Sequence, residues 1–337
     1  MSEPLIEEGG KPFPSFLRWE TFLSLGLTAG LLTFLVAQID FDSVLHDLAQ
    51  SDKTYILLGF LAHYATYPVR GLRWRYTLGD ITRDIPARTF GLIVFFYNAV
   101  DNVVPAKLGD LYAAHMARIN FRIRRSSALG SIVFLRLIDA WIVFLLAGVS
   151  SWFAFSKHLP EGVAWVLGGG FLLALIVTAT SVSIMLIKHT TPSWVPSRIS
   201  EMIEAFHDNM WPARKDWPPI LSLTVIIWSL ETLWIFCLIK AFGVSLSLPE
   251  LIFLTQIPLL ASAFPLTPSG AGAVEITLFG CLQLLGVPAS LAASITVLNR
   301  LIDYWLHIGL GGLVWAFRTP LGIHTLRERY TLRSESD

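Results

Sequence analysis

Long apolar stretches alternate with short polar segments along most of the 337-residue chain. A helix needs about 20 apolar residues to cross the hydrocarbon core of a bilayer, and several of the stretches reach that length. Because lipid offers no hydrogen-bond partners to the backbone, apolar segments of this length must be helical. The pattern therefore predicts an all-α integral membrane protein. The predicted spans are residues 19–39, 54–72, 126–155, 162–187, 219–242 and 288–317.

Two further apolar segments, residues 90–104 and 251–264, are too short for a full crossing. Each ends in a polar run rich in helix-breaking residues, and a second apolar segment follows. Because such breaks persist at membrane depth only inside protein or beside a water-filled cavity, we expect two re-entrant helical hairpins. The first break contains Asn98, Asp101, Asn102, Pro105, Lys107, Gly109 and Asp110. The second contains Pro265, Thr267, Pro268, Ser269, Gly270 and Gly272, followed by Glu275.

The same motifs occur in the same order in both halves of the chain. Residues 136–141 read Arg-Leu-Ile-Asp-Ala-Trp and residues 300–305 read Arg-Leu-Ile-Asp-Tyr-Trp, an offset of 164. Upstream of them, residues 105–109 and 268–272 share the pattern Pro-x-x-x-Gly at an offset of 163. Two ordered matches at nearly one offset predict an internal repeat.

The positions of Lys and Arg predict the orientation, because these residues accumulate in cytoplasmic loops. With the N-terminus in the cytoplasm and both short segments re-entrant, 20 Lys and Arg residues lie inside. Three lie outside, namely Lys53, Lys157 and Lys240, and the other two are intramembrane. If residues 90–104 crossed fully, one of two adjacent basic clusters would lie outside.

Each half then has three spanning helices plus one re-entrant hairpin, and the odd number of spans inverts the second repeat. Inverted repeats with broken helices at the midplane are found in many secondary transporters. We expect a multi-pass protein of the plasma (bacterial inner) membrane with both termini cytoplasmic. The predicted parts are a cytoplasmic N-terminal segment at 1–18, a first repeat at 19–160, a second repeat at 161–317 with a cytoplasmic connector at 188–219, and a cytoplasmic tail at 318–337.

The composition agrees with an integral membrane protein and limits the kinds of partner that we expect. Apolar residues make up 54% and charged residues 15% of the chain, and the formal net charge is zero. Nothing in this balance indicates a nucleic-acid partner. Cys237 and Cys281 lie in apolar segments without metal-ligand spacing, and the histidines are scattered. We expect no metal, no cofactor and no catalytic residues.

The hairpin breaks are the first candidate site. Helix N-termini after the breaks, together with Lys107, favour an anionic phosphate, so the breaks are candidates for binding a lipid headgroup. The alternative is that residues 105–110 form an ordinary cytoplasmic turn between interfacial helices. Recurrence of the break in both halves favours the binding interpretation.

Intramembrane charges are the second candidate site, because a charge in hydrocarbon is costly unless it is paired or faces water. Arg136 and Asp139 are three residues apart, as are Arg300 and Asp303, so each pair can meet on one helix face. These pairs either contribute to substrate binding or clamp the long helices to the hairpins. Glu231, in the middle of a span, is a candidate for a proton-coupled carboxylate or for a residue hydrogen-bonded to its neighbours.

Three segments together resemble the lysylphosphatidylglycerol synthase transmembrane (flippase-like, UPF0104) family. They are residues 102–110, residues 265–275 and residues 299–305, and the resemblance extends from about residue 20 to 318. It implies an integral membrane domain associated with translocation of lipids between leaflets, including aminoacyl-phospholipids and lipids of hopanoid or polyprenyl-linked glycan pathways. Synthase members also have a large soluble catalytic domain. This chain ends about twenty residues after its last predicted span, so we do not expect it to aminoacylate lipid.

The leading hypothesis is a flippase that moves an anionic phospholipid or a lipid-linked substrate of hopanoid or polyprenyl-phosphate type through a central polar cavity. A non-transporting scaffold or regulator that recruits a lipid-modifying enzyme is the alternative. A membrane-embedded transferase is a third hypothesis, which would need paired acidic residues such as Asp101 and Asp110 at an aqueous face.

Overall fold

A computed structural model describes residues 41–82, 84–103, 109–155, 159–187, 217–262, 270–319, 321 and 323. The predicted first span, most of the connector and most of the tail lie outside these residues. The described residues are mostly helical and contain no strand. This confirms the prediction of an all-α protein with several apolar helices. The α-helices are α1 (Phe41–Gln50), α2 (Lys53–Leu78), α3 (Ala87–Val103), α4 (Gly109–Phe121), α5 (Arg125–Ala154), α6 (Glu161–Ile187), α7 (Trp217–Ala241), α8 (Leu248–Ser262), α9 (Ala273–Leu284), α10 (Ala289–Arg300) and α11 (His307–Ala316).

Three helices in the described part are both long and apolar enough to cross a bilayer. They comprise Arg125–Ala154, Glu161–Thr180 and Trp217–Ala241. The predicted span at 54–72 lies in α2, whose 26 residues include four cations and are therefore less apolar. The predicted span at 288–317 is helical as well, but a π-helical segment, Leu301–Leu306, separates α10 from α11.

Local sequence signals set several helix ends. Asp52 caps α2 by accepting a hydrogen bond from the Thr54 backbone nitrogen at 2.8 Å. At the start of α8 the Glu250 carboxylate accepts from the Ser247 backbone nitrogen at 2.6 Å and from the Ser247 hydroxyl at 2.7 Å. Gly79 (φ +65°) ends α2, because a residue with a side chain rarely adopts this left-handed backbone conformation.

Helices α2 and α7 pack against each other along their length. Gly59 allows this approach, since a Cβ there would lie 2.6 Å from the Trp234 ring. On another side of α2, Gly71 lies directly against the backbone of Gly91 in α3. The absence of side chains at these glycines lets the helices cross closely.

The two short pairs of helices each pack on a long helix from the other half of the sequence. Helix α3 lies against α11, where Gly311 faces Ala99. Helix α8 lies against α5, and Phe253 and Leu254 join the apolar core that contains Val143. The end of each helix pair also lies near an arginine of a following helix in its own half.

Candidate functional site

The first helix break is held by an arginine of the following long helix. The Asp101 carboxylate, at the end of α3, accepts a hydrogen bond from the Gly109 backbone nitrogen at 2.7 Å. Arg136 in α5 donates to Asp110 at 3.0 Å and lies 3.9 Å from Asp101. Gly109 has no room for a side chain, because a Cβ would collide with the Tyr97 carbonyl oxygen and the Asp101 carboxylate. Arg136 therefore fixes both sides of the break.

The second break has the same three components. Gly270 (φ +68°) and Gly272 (φ +88°) adopt left-handed conformations immediately before α9. The Glu275 carboxylate accepts from the Gly272 backbone nitrogen at 2.7 Å and from Arg300 Nε at 2.6 Å. Both Glu275 and Arg300 are buried. In each half, then, an arginine binds a carboxylate of the preceding helix pair, and a carboxylate accepts a hydrogen bond from a glycine N–H.

The Arg136–Asp139 pairing expected from sequence does not form. Asp139 instead receives two hydrogen bonds from Arg73 of α2, at 2.7 and 2.8 Å. Arg73 also donates to Thr224 in α7 at 3.0 Å and is 3% exposed. Within the described residues no ion pair joins Arg136 to Asp139, because each has a closer partner on another helix. The Arg300–Asp303 pair is looser than the Arg300–Glu275 contact, since Arg300 Nη1 lies 3.8 Å from Asp303.

Glu231 lies in a chain of charged side chains between α2 and the π-helical segment. Arg70 donates to one Glu231 oxygen at 2.8 Å, and His63 Nδ1 lies 3.3 Å from the other. The opposite nitrogen of the same ring, His63 Nε2, lies 3.5 Å from Asp303. Asp303 in turn approaches Arg300, which binds Glu275 at the second break. The chain thus connects α2, α7 and the second helix break.

A small polar cavity lies between α2, α3 and α5. It encloses about 30 Å³, which is room for about two water molecules. The lining residues carry more positive than negative charge and include Arg70, Arg73, Tyr97, Asn98, Arg136 and Asp139. Arg73 Nε is buried without a hydrogen-bond partner among the described residues. An excess of guanidinium groups around such a cavity favours an anionic group, because arginine matches the geometry of phosphate oxygens.

Two further predicted site residues, Asn98 and Asn102, lie in the last part of α3. Asn98 donates to the Val94 carbonyl oxygen at 2.8 Å while lining the cavity. Asn102 is buried near the end of α3. Six other predicted residues lie outside the described residues. They are Pro105, Lys107, Pro265, Thr267, Pro268 and Ser269.

Sequence reasoning missed His63, Arg70 and Arg73 as site residues. The arginines were interpreted as part of a basic cytoplasmic cluster, and the histidine as one of several scattered ones. The missed signal is helical spacing. His63 and Arg70 are seven residues apart and therefore share one face of α2, and Arg70 lies inside the predicted span at 54–72.

In the described part of the chain, no three His, Cys, Asp or Glu side chains are placed to hold a metal ion. His307, which follows Asp303 by one turn, packs instead in the core. Its ring stacks on Tyr67 with centroids 4.8 Å apart, and Nε2 lies 3.1 Å from the Phe95 carbonyl oxygen.

The family comparison covers most of the chain, both helix breaks and the charged residues between them. The family model of the lysylphosphatidylglycerol synthase TM region matches residues 21–311. The chain belongs to this family. The resemblance expected from the three motif segments is thereby confirmed, and the helices described above are those of a lysylphosphatidylglycerol synthase TM region in a membrane protein.

Relatives of this family member include UPF0104 membrane proteins of two archaea. One from Methanocaldococcus jannaschii is 23% identical over 299 residues, covering 82% of this chain and 88% of the relative. One from Methanothermobacter thermautotrophicus is 23% identical over 288 residues, covering 78% and 85%. The glycosyltransferase AglD of Haloferax volcanii is 22% identical over 290 residues, which are 74% of this chain and 46% of that enzyme.

Proposed function

We propose that this protein is a lipid flippase, which moves an anionic phospholipid or a lipid-linked substrate of hopanoid or polyprenyl-phosphate type between leaflets. The observation that carries the proposal is a set of ion-paired side chains among the helices at both breaks, which meets at an arginine-lined cavity. Arg136 reaches the cavity from the first break, and Arg70 begins the charged chain that leads to the second. Charges at this depth are costly, so a membrane protein retains them where a polar group must pass. The acyl or isoprenoid chains stay in lipid while the headgroup uses the polar route.

The proposed architecture is two inverted repeats, each with three spanning helices and one re-entrant hairpin. Helix pairs α3–α4 and α8–α9 are the hairpins. Three observations support it, namely the motif offset of about 163, the packing of α2 on α7 near that same offset, and the crosswise packing of each hairpin on a long helix of the other half. The 20-to-3 division of cations supports cytoplasmic termini in the plasma membrane.

The charged groups at the cavity and at the second break have different proposed roles. Arg70, Arg73 and Arg136 bind the anionic headgroup at the cavity, and Arg136 is shared between the headgroup and Asp110. Arg300 and Glu275 clamp the second hairpin. The unpartnered Arg73 Nε is the donor that a phosphate oxygen satisfies. In this proposal the protein performs no chemical step and needs no metal or cofactor.

The test is reconstitution of the purified protein into liposomes that contain a fluorescent phosphatidylglycerol or a fluorescent polyprenyl phosphate. A membrane-impermeant quencher reports how fast inner-leaflet headgroups become accessible. The proposal expects faster accessibility with protein than in protein-free liposomes for at least one of the two probes. Folded protein that moves neither probe contradicts it. A fluorescent lipid with a zwitterionic headgroup serves as the charge control and is expected to move more slowly.

A scaffold that recruits a lipid-modifying enzyme is the second candidate, favoured by two observations. Arg122, Arg124 and Arg125 form an exposed basic cluster between α4 and α5. The chain also resembles part of a protein named as a glycosyltransferase. Under this alternative the exposed cluster is the docking surface, and the buried charges serve only stability.

A further inference from the structure

His63 is a buried side chain that no part of the proposed lipid route uses. It lies on α2 with 5% of its side chain exposed, between a carboxylate from α7 and one from the π-helical segment. Nδ1 is 3.3 Å from Glu231, and Nε2 is 3.5 Å from Asp303. A single imidazole ring therefore bridges two acidic side chains that are 72 residues apart in sequence.

The hydrogen-bonding capacity of imidazole decides which form fits this position. A neutral ring has one N–H donor and one nitrogen lone pair, so one carboxylate would face a lone pair. Only the imidazolium form has donors on both nitrogens. Both neighbours of His63 are carboxylates, and Nε2 lies 3.5 Å from Asp303, at ion-pair distance, without a hydrogen-bond partner among the described residues. The charged form therefore fits this position best.

The charge balance of the surrounding residues also favours the protonated form of His63. Along the chain from Arg70 to Glu275, the described side chains other than His63 are two arginines and three carboxylates. A net negative charge in a buried cluster is unfavourable, and one bound proton makes the cluster neutral. His63 is at the centre of the chain and takes that proton without breaking an arginine contact.

The groups around the ring come from four elements. Tyr64, Tyr67 and Arg70 lie on the same helix, α2. Helix α7 contributes Glu231 and the π-helical segment contributes Asp303. Helix α11 contributes His307, whose ring stacks on Tyr67. Of these charged groups Asp303 is the most accessible, with 38% of its side chain exposed, compared with 16% for Glu231.

We propose that His63 is a proton-binding site that joins α2 to α7 and to the π-helical segment, and that its proton enters and leaves through Asp303. When the proton is bound, the imidazolium holds Glu231 and Asp303 together. When the proton passes from Nε2 to the Asp303 carboxylate and then to water, Asp303 loses its ion pair with His63 and keeps its approach to Arg300, so the π-helical segment is held less firmly to α2. This makes the proton a coupling ion, a role that rests on the proposed lipid transport; the protonation itself does not.

The protonation is tested by nuclear magnetic resonance of the full chain in nanodiscs, with nitrogen-15 in its histidines. The His63 signals are those lost in His63→Gln. At neutral pH, where a free histidine is mostly neutral, they are expected to be those of an imidazolium with both nitrogens protonated. In the Glu231→Gln/Asp303→Asn double variant, which keeps His63, they are expected to be those of a neutral ring. A neutral His63 in the wild-type protein overturns the proposal.

Two further variants keep the test decisive if His63→Gln does not fold. His63→Gln/Asp303→Asn removes one charge of each sign and is expected to regain most of the melting temperature that His63→Gln loses. His307→Gln is the matched control, because it alters a buried histidine in the same cluster that bonds a backbone carbonyl oxygen. If the double variant melts lower than His63→Gln, the charge-balance argument is wrong.

The coupling is tested in the liposome assay with an imposed pH gradient. Wild-type protein and His307→Gln are expected to move the fluorescent phosphatidylglycerol or polyprenyl phosphate at a rate that depends on the gradient. His63→Gln/Asp303→Asn is expected to lose that dependence. Wild-type transport that ignores the gradient refutes coupling but leaves the flippase standing. No transport by wild-type protein refutes the flippase, and the resonance measurement still decides whether His63 holds the proton.

Discussion

The charged side chains of α2 pair with carboxylates on other helices rather than with residues of α2 itself. Arg73 binds Asp139 across α2 and α5, and Arg70 binds Glu231 across α2 and α7. A buried pair is often no more stable than apolar residues of the same shape, but removing one partner leaves an unpaired buried charge. The pairs therefore make the helix arrangement specific, and single substitutions in them are costly.

Replacing Arg73 by Met tests this at one residue. The change leaves the Asp139 carboxylate buried without its two hydrogen bonds and is expected to lower the free energy of unfolding by about 3–5 kcal/mol. The double variant Arg73→Met/Asp139→Leu removes both charges and is expected to lose much less. Thermal unfolding in detergent compares the stability of the wild-type protein, the single variant and the double variant. Arg88→Ala, at an exposed arginine, is the control and is expected to change stability by less than about 0.5 kcal/mol. Equal losses in the single and double Arg73 variants contradict the pairing.

The sequence indicates several of the charged residues of the site, but not the arginines of α2 and not which residues pair. The three-residue spacing of Arg136 and Asp139 shows that they share a helix side. It carries no information about Arg73, which approaches from another helix and takes Asp139. The Arg300–Glu275 contact was equally hidden, because a spacing of 25 residues becomes a contact only through the fold.

Most helices begin and end where the length of the apolar segments and the helix-breaking residues predict. The positions of the helices are therefore easier to predict from sequence than the contacts between them. The predicted segments at 90–104 and 251–264 correspond to α3 and α8, and both breaks occur at the expected glycines. The π-helical segment within residues 288–317 was not predicted, because the wide turn depends on tertiary contacts of the Arg300–Asp303 region rather than on periodicity. Helix crossings depend on glycines whose role is visible only once the partner helix is known.

Gly71→Ala tests the closest of these crossings. An added Cβ would lie against the Gly91 backbone and 2.7 Å from the Phe90 carbonyl carbon, so α2 and α3 must separate. We expect a loss of about 1–3 kcal/mol in unfolding free energy. Gly148→Ala is the matched control, since nothing lies within 4 Å of its Cβ position. Its stability is expected to be unchanged or higher. The same melting temperature for both variants would refute the close crossing.

At the scale of the whole molecule, the path of the chain through the membrane is the main untested prediction. Arg88 is exposed at the start of α3, Arg122 is exposed directly after α4, and Lys53 is exposed at the start of α2. In a Cys237→Ala/Cys281→Ala background, single cysteines at these three positions are labelled in intact cells with an impermeant maleimide. A re-entrant α3–α4 hairpin predicts labelling at position 53 alone until the membrane is permeabilised. Labelling at either position 88 or position 122 in intact cells would show a full crossing.

The most direct test of the central claim compares the buried charges with the exposed basic cluster in the liposome assay. Glu231→Ala and Arg300→Ala each remove a member of the intramembrane chain, and the triple variant Arg122→Ala/Arg124→Ala/Arg125→Ala removes the exposed cluster. Each protein is first confirmed to be folded by its elution and melting temperature. If the protein is a flippase, the two single variants lose headgroup movement and the triple variant keeps it. Undiminished movement in Glu231→Ala and Arg300→Ala, with loss in the triple variant, would contradict transport through the buried charges.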